Sequence, residues 1–130
     1  MSRCVLFGAA LAAALSMPLA VHAQHLVQRQ FPQDTLRGEL VVVQPPDVRL
    51  NGRPARLSPG ARIRGQNNLL VMSGAIVGTP LVVNYTVDNL GQVKDVWVLR
   101  EDEAKKVWPK TREEAARWSF DPIAQVWVKR

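Results

Sequence analysis

The chain has 130 residues, with 17 Lys+Arg against 11 Asp+Glu for a formal charge of +6, one cysteine, and 47% of its residues apolar. That length carries one core of ordinary size rather than two. The 22% charged share and mean hydropathy of −0.07 exclude collagen-like, low-complexity and wholly disordered classes, and a single cysteine excludes an intrachain disulfide scaffold.

Residues 1–23 read as a cleaved signal peptide. Arg3 supplies a positive start, residues 5–15 are an uncharged run of eleven, and Val21 and Ala23 are the small residues that precede a cut between Ala23 and Gln24. The alternative is an uncleaved anchor, but the uncharged stretch over residues 5–21 is 17 long and interrupted by Ser16 and Pro18, against the ~20 residues that span a bilayer. Cys4 precedes the apolar run, whereas a lipid-bearing cysteine follows it. Cleavage leaves 107 residues at +5 with no cysteine and no transmembrane segment, and the expected location is periplasmic or secreted.

Residues 24–35 show neither a helical nor a strand period and read as a flexible N-terminal arm, followed by one domain over residues 36–130. Residues 36–43 end in a β-branched run that Gln44, Pro45 and Pro46 stop, because proline cannot donate to a ladder. Residues 47–50 and 53–57 flank Asn51-Gly52, the pair favoured where both central residues of a hairpin loop need positive φ. That loop sets Leu50 opposite Arg53, Arg49 opposite Pro54, Val48 opposite Ala55 and Asp47 opposite Arg56. Val48, Leu50, Ala55 and Leu57 then share one face, and Asp47, Arg49 and Arg56 the other.

Ser58-Pro59-Gly60 reads as a turn, residues 61–64 as a strand, residues 65–68 as a turn, residues 69–72 as a further strand and residues 74–80 as a loop. A second hairpin joins residues 81–87 to residues 92–99 through Asp88-Asn89-Leu90-Gly91. One of its faces holds Leu81, Val83, Tyr85, Val87, Val96 and Val98. The other mixes Val82, Asn84, Thr86, Val93, Asp95, Trp97 and Leu99, and is either covered or a place where something docks.

Residues 100–106 place acids before bases, as suits a helix aligned with its macrodipole, and Trp108-Pro109 ends it. Thr111, with Glu114 three residues on, reads as a capping box that opens a second short helix through Trp118. Residues 119–122 leave that helix and residues 123–129 form a closing strand. The fold class is therefore α+β and β-rich: a small antiparallel barrel or sandwich of about six to seven short strands, with one or two short helices near the C-terminus.

The residue inventory restricts chemistry sharply. His25 is the single histidine after residue 23, so Ser-His-Asp and Cys-His catalysis and histidine metal sites are not expected, and no cofactor is implied. Gly60, Gly65, Gly74 and Gly78 lack phosphate-loop spacing. Asp88, Asp95, Glu101, Asp102, Glu113 and Glu114 leave a carboxylate-pair hydrolase open as a third reading.

Arginine is the positive signal. Arg49, Arg53, Arg56, Arg62 and Arg64 fall within 16 residues, and no acid lies between Asp47 and Asp88. On one continuous face they would suit phosphates or carboxylates; the alternative is an ordinary solvated face with Asp47 paired to Arg56. Nucleic acid is not expected, since no aromatic is interleaved with these arginines. Trp97, Trp108, Trp118 and Trp127 lie in the last 34 residues and fill a core seam or form a ligand platform.

Val83-Asn84-Tyr85-Thr86-Val87-Asp88 followed by residues 91–99, with Gly91, Val93, Val96, Val98 and Leu99 at the matching places, resembles the hairpin of TonB C-terminal domains. Ala115, Trp118, Phe120 and Pro122 resemble that family's helix exit. The resemblance spans residues 83–122 and implies an envelope module that binds a peptide by adding a strand to a sheet edge. Residues 36–79 have no counterpart in the pattern, so energy transduction is not implied. As a whole the chain is similar to short exported proteins of unknown function from Gram-negative bacteria. The leading expectation is thus an exported binding module without catalytic chemistry, contacting an envelope protein through a strand edge or through Trp97, Asp95 and Asn84. The alternative is an anionic envelope component bound by the five arginines.

Overall fold

The computed structural model describes residues 28–130; the expected signal segment and its cleavage point lie outside the described residues. Seven strands and two short helices follow one another: β1 Leu36–Gln44, β2 Asp47–Leu50, β3 Arg53–Arg64, β4 Leu81–Val87, β5 Val93–Val98, α1 Glu101–Ala104, α2 Arg112–Arg117, β6 Trp118–Asp121 and β7 Val126–Lys129. β1 to β5 close into a barrel in the order β1-β2-β3-β5-β4, and β6 and β7 form a separate two-stranded sheet. The helices sit between the last barrel strand and that sheet rather than at the C-terminus. The barrel is antiparallel at every seam but one, since β3 runs parallel to β5.

The first hairpin has the register that Asn-Gly dictates. Asn51 and Gly52 take φ of 55° and 80°, and Leu50 faces Arg53, Arg49 faces Pro54, Val48 faces Ala55 and Asp47 faces Arg56. Ser58-Pro59-Gly60 makes no turn. β3 runs straight through it, pairing with β2 up to Arg56 and with β5 at Leu57 and from Arg62 onward, with an irregularity between. The three turn-forming residues mark the corner where the strand changes partners. A proline without N–H and a glycine without side chain cost little where no ladder bond is due.

The second hairpin closes at Asp88, whose Oδ1 accepts the Leu90 and Gln92 amides, both at 2.9 Å. A bulge shifts its pairing so that Thr86 faces Asp95 while Val87 faces Val93. Lys94 is the extra residue, and Val93, expected on the mixed face, turns into the barrel instead. Residues 69–72 do not become a strand: Leu70 makes one isolated bridge to Arg64, and Leu69, Leu70 and Met72 are exposed. Trp118, read as the end of the helix, and residues 119–121, read with Pro122 as its exit, are β6, and the closing strand, expected from Ile123, starts at Val126 because Asp121 and Gln125 fold the intervening residues into a turn.

Two cores result. The barrel interior packs Leu36, Leu40, Val42, Val48, Leu57, Ile63, Val83, Tyr85, Val93, Val96 and Val98. A second cluster of Phe31, Leu99, Trp108 and Trp127 lies outside the barrel, with Trp97, Trp118 and Phe120 against it. Trp108 is its hub, edge-on to Phe31, Phe120 and Trp127 at 5.5, 5.5 and 5.9 Å, and its indole N–H donates to Thr35 O at 2.7 Å. Residues 28–35, read as a loose arm, are therefore packed: Arg29, Phe31 and Thr35 are buried.

Candidate ligand-binding faces

The mixed face of the β4–β5 hairpin is partly covered by the chain itself, with Val82 left exposed. Asn84 is fully buried, and its Oδ1 accepts the Arg37 Nε–H at 2.8 Å. Arg37 also donates to the carbonyls of Ala104 and Lys106, at 3.1 and 3.2 Å. Burial pushes its guanidinium pKa down and the Glu103 charge pulls it back up. Trp97 is half-buried, with Phe31 edge-on at 5.6 Å. Asp95 is half-buried, and the Thr86 hydroxyl lies 3.4 Å from its carboxylate and 3.3 Å from its amide. Asn84 and Trp97 are cross-strand partners with Asp95 two residues along β5, but Arg37 covers Asn84 and Phe31 lies against Trp97, while Asp95 stays half-buried against Thr86.

What holds that cover down is a buried ion pair absent from the sequence reading. Arg29 grips both Glu103 oxygens, Nε to Oε2 at 2.8 Å and Nη2 to Oε1, and donates to Gly65 O at 2.9 Å and Val98 O at 2.8 Å. Glu103 in turn accepts the Arg100 amide at 2.9 Å, so it caps α1 as well. Burial acts to raise the Glu103 pKa, but the Arg29 hydrogen bond, the Arg100 amide and both positive charges outweigh it and hold the carboxyl below its ordinary range. Two charges in a partnerless loop and a helix 74 residues away leave no local signature in a sequence.

The five arginines are divided rather than continuous. Arg49 and Arg56 lie on the outward face of β2 and β3, with Asp47 and Pro54. The Arg56–Asp47 pair is 3.5 Å apart with side chains 61% and 65% exposed, so it is worth at most about 1 kcal/mol. These residues and Val43 line an open groove of 450 Å³. Arg62 lies beside Asp95, and Arg64 beside Trp97. Arg53, opposite inward-facing Leu50, lies at the end of the barrel with Leu36, Tyr85 and Lys110. Strand alternation from the Asn51-Gly52 loop carries Arg53 to the inner side and Arg56 to the outer one, and β3, which runs on through residues 58–60, carries Arg62 and Arg64 along β5.

Four of the six candidate acids, Asp88, Asp95, Asp102 and Glu114, make hydrogen bonds or an ion pair within the fold, while Glu101 and Glu113 are exposed at the starts of α1 and α2. Asp88 closes a turn, Asp102 pairs with Arg100 at 3.1 Å, Glu114 accepts the Lys110 amide at 3.0 Å and Thr111 Oγ1 accepts the Glu114 amide at 3.1 Å. The Arg100 hydrogen bond holds the Asp102 carboxyl below its ordinary pKa. Among the described residues no cluster of three or more His, Cys, Asp or Glu side chains could hold a metal, and no helix is long and apolar enough to cross a membrane. The chain matches no family model, no curated protein and no solved structure.

Proposed function

We propose that the protein is an exported binding module without catalytic chemistry that holds an anionic envelope component on the outward face of β2 and β3, through Arg49 and Arg56. The observation that carries this reading is that those two cations stand on the same outward side of adjacent strands, Arg49 opposite Pro54 and Arg56 opposite Asp47, beside an open groove with exposed Val43 and Pro54 in it. The other devices considered are less available. Every barrel strand has two neighbours, so the β4–β5 hairpin that resembles TonB offers no edge for strand addition, and Trp97 lies under Phe31. The strand order, with β3 parallel to β5, follows that of OB-type barrels, whose ligands lie on the face of strands 2 and 3. As a fold-level analogy this favours the same face and names no ligand.

The test is binding of the full chain to polyglutamate and to anionic phospholipid vesicles over a salt series. Affinity falls steeply with salt and is lost in the Arg49→Glu/Arg56→Glu double variant. Retention of salt-sensitive binding by that variant would sink the proposal.

A further inference from the structure

We infer that the open end of the barrel is a second binding site, which adjoins the outward-face groove at Pro54 and Ala55 but has its own cations, for a small organic carboxylate with an apolar body. The end is a cleft of 630 Å³, inside the range of about 300–1,000 Å³ that small-molecule sites occupy. Leu36, Leu50 and Ala55 supply apolar wall, and the charged residues lining it are Arg53 and Lys110, with no acid among the lining residues. Among the described residues neither the Arg53 guanidinium nor the Lys110 ammonium has a hydrogen bond or ion pair. Lys110 meets Glu114 through its backbone amide, which leaves the ammonium group unengaged.

Tyr85 is the third element. It is 6% exposed, lines the cleft, and its hydroxyl has no hydrogen-bond partner among the described residues. The hydroxyl is not one of the buried side-chain atoms that lack a partner, so its oxygen reaches the solvent of the cleft and is open to a ligand. Burial raises its pKa, against the opposing charge of Arg112, so the group stays a protonated donor at neutral pH. Gly38 leaves the space the ring occupies, since an added Cβ would lie 2.9 Å from Tyr85 Cε1 and 3.1 Å from Asn51 Oδ1. Asn51 Oδ1 accepts the Glu39 amide at 2.9 Å and Thr111 Oγ1 accepts the Glu114 amide at 3.1 Å, which occupies an acceptor on each and leaves their own N–H and O–H groups. The donors facing a ligand are thus a guanidinium fork, an ammonium, the Tyr85 and Thr111 hydroxyls and the Asn51 amide. A carboxylate offers two oxygens that accept from a fork in parallel and from further donors at their outer lone pairs, while its apolar body lies along Leu36, Leu50 and Ala55.

The experiment is calorimetric titration of the full chain with decanoate, and with decanol as a probe of the same apolar body without charge. Decanoate binds at least tenfold tighter than decanol. Arg53→Gln/Lys110→Gln lowers decanoate affinity at least tenfold, with an unchanged melting temperature showing that the fold persists. Tyr85→Phe, which keeps the ring, lowers it several-fold. Arg49→Glu/Arg56→Glu leaves decanoate binding as it was, which separates this site from the outward face. Absence of decanoate binding, equal affinity for decanol, or indifference to the Arg53/Lys110 substitutions overturns the inference.

Discussion

Glu103→Gln probes how the cover over the barrel is held. The substitution keeps shape and removes the charge that Arg29 grips, leaving a guanidinium whose side chain is 5% exposed facing a neutral amide. Breaking a buried pair on one side costs about 3–5 kcal/mol, because one charge stays desolvated without its counterion. Total stability for a domain of this size is of the order of 5–15 kcal/mol, so the variant loses a large fraction of it. The loss depends on pH in a defined direction. Because the folded Glu103 carboxyl lies below its ordinary value of 4.5, its contribution is complete above that value and disappears as pH falls through the lower folded one. Urea unfolding of wild type and variant should therefore differ most at neutral pH and converge in acid. Replacing both partners, Arg29→Met with Glu103→Leu, removes the unpaired buried charge but leaves the Gly65 and Val98 carbonyls and the Arg100 amide without their partners, so it should not return stability to the wild-type level. A loss below about 1 kcal/mol at pH 7, the level of an exposed pair, would show that residues 28–35 are not fixed as described.

Trp127→Ala removes a ring stacked on Phe120 at 4.8 Å and edge-on to Trp108, and should cost about 3–5 kcal/mol in urea unfolding, with loss of the near-ultraviolet circular dichroism of the cluster. Gly38→Ala forces a Cβ to within 2.9 Å of the Tyr85 ring and should cost about 1–3 kcal/mol by the same measurement; a neutral result would mean that Tyr85 moves freely. Asp47→Asn deletes an exposed partner of Arg56. Stability should change by less than about 1 kcal/mol, while affinity for polyglutamate rises because one repelling charge is gone.

Local chemistry made part of this architecture legible. Asn51-Gly52 set the register of β2 and β3 because a two-residue loop with two positive φ angles leaves no freedom. The Asp88 turn announced the β4–β5 hairpin, and Thr111 with Glu114 announced α2. What stayed hidden is non-local. Ser58-Pro59-Gly60 carries turn chemistry, yet a strand switching partners in a closed barrel needs the same residues at its corner. Val93 reads as outward by simple alternation until the Lys94 bulge inverts it. Phe31 and Arg29 show no period because they belong to no element, and their burial depends on Glu103, Trp108 and Gln125, which are far away in sequence.

The candidate sites depend on how the fold partitions charge rather than on how much charge the sequence holds. Four of the five excess positive charges after residue 23 lie before Asp88, which suggests one strongly basic front half. Arg29 and Arg37 take two cations of that half into the interior, one neutralised by Glu103 and the other dispersed over carbonyls and Asn84. Arg62 sits exposed beside Asp95 and Arg64 half-buried beside Trp97, while Arg49 and Arg56 face solvent on the outer side of one hairpin and Arg53 on its inner side, where Lys110 joins it. Because the Asn51-Gly52 register decides which arginine goes to which side, inserting one residue into β3 between Gly52 and Arg53 should exchange them. Arg53 would move outward and Arg56 inward, and Leu57 would leave the core. Such a variant should lose both decanoate and polyglutamate binding along with stability, whereas removal of charge alone, by Arg49→Gln with Arg56→Gln, should weaken only polyglutamate.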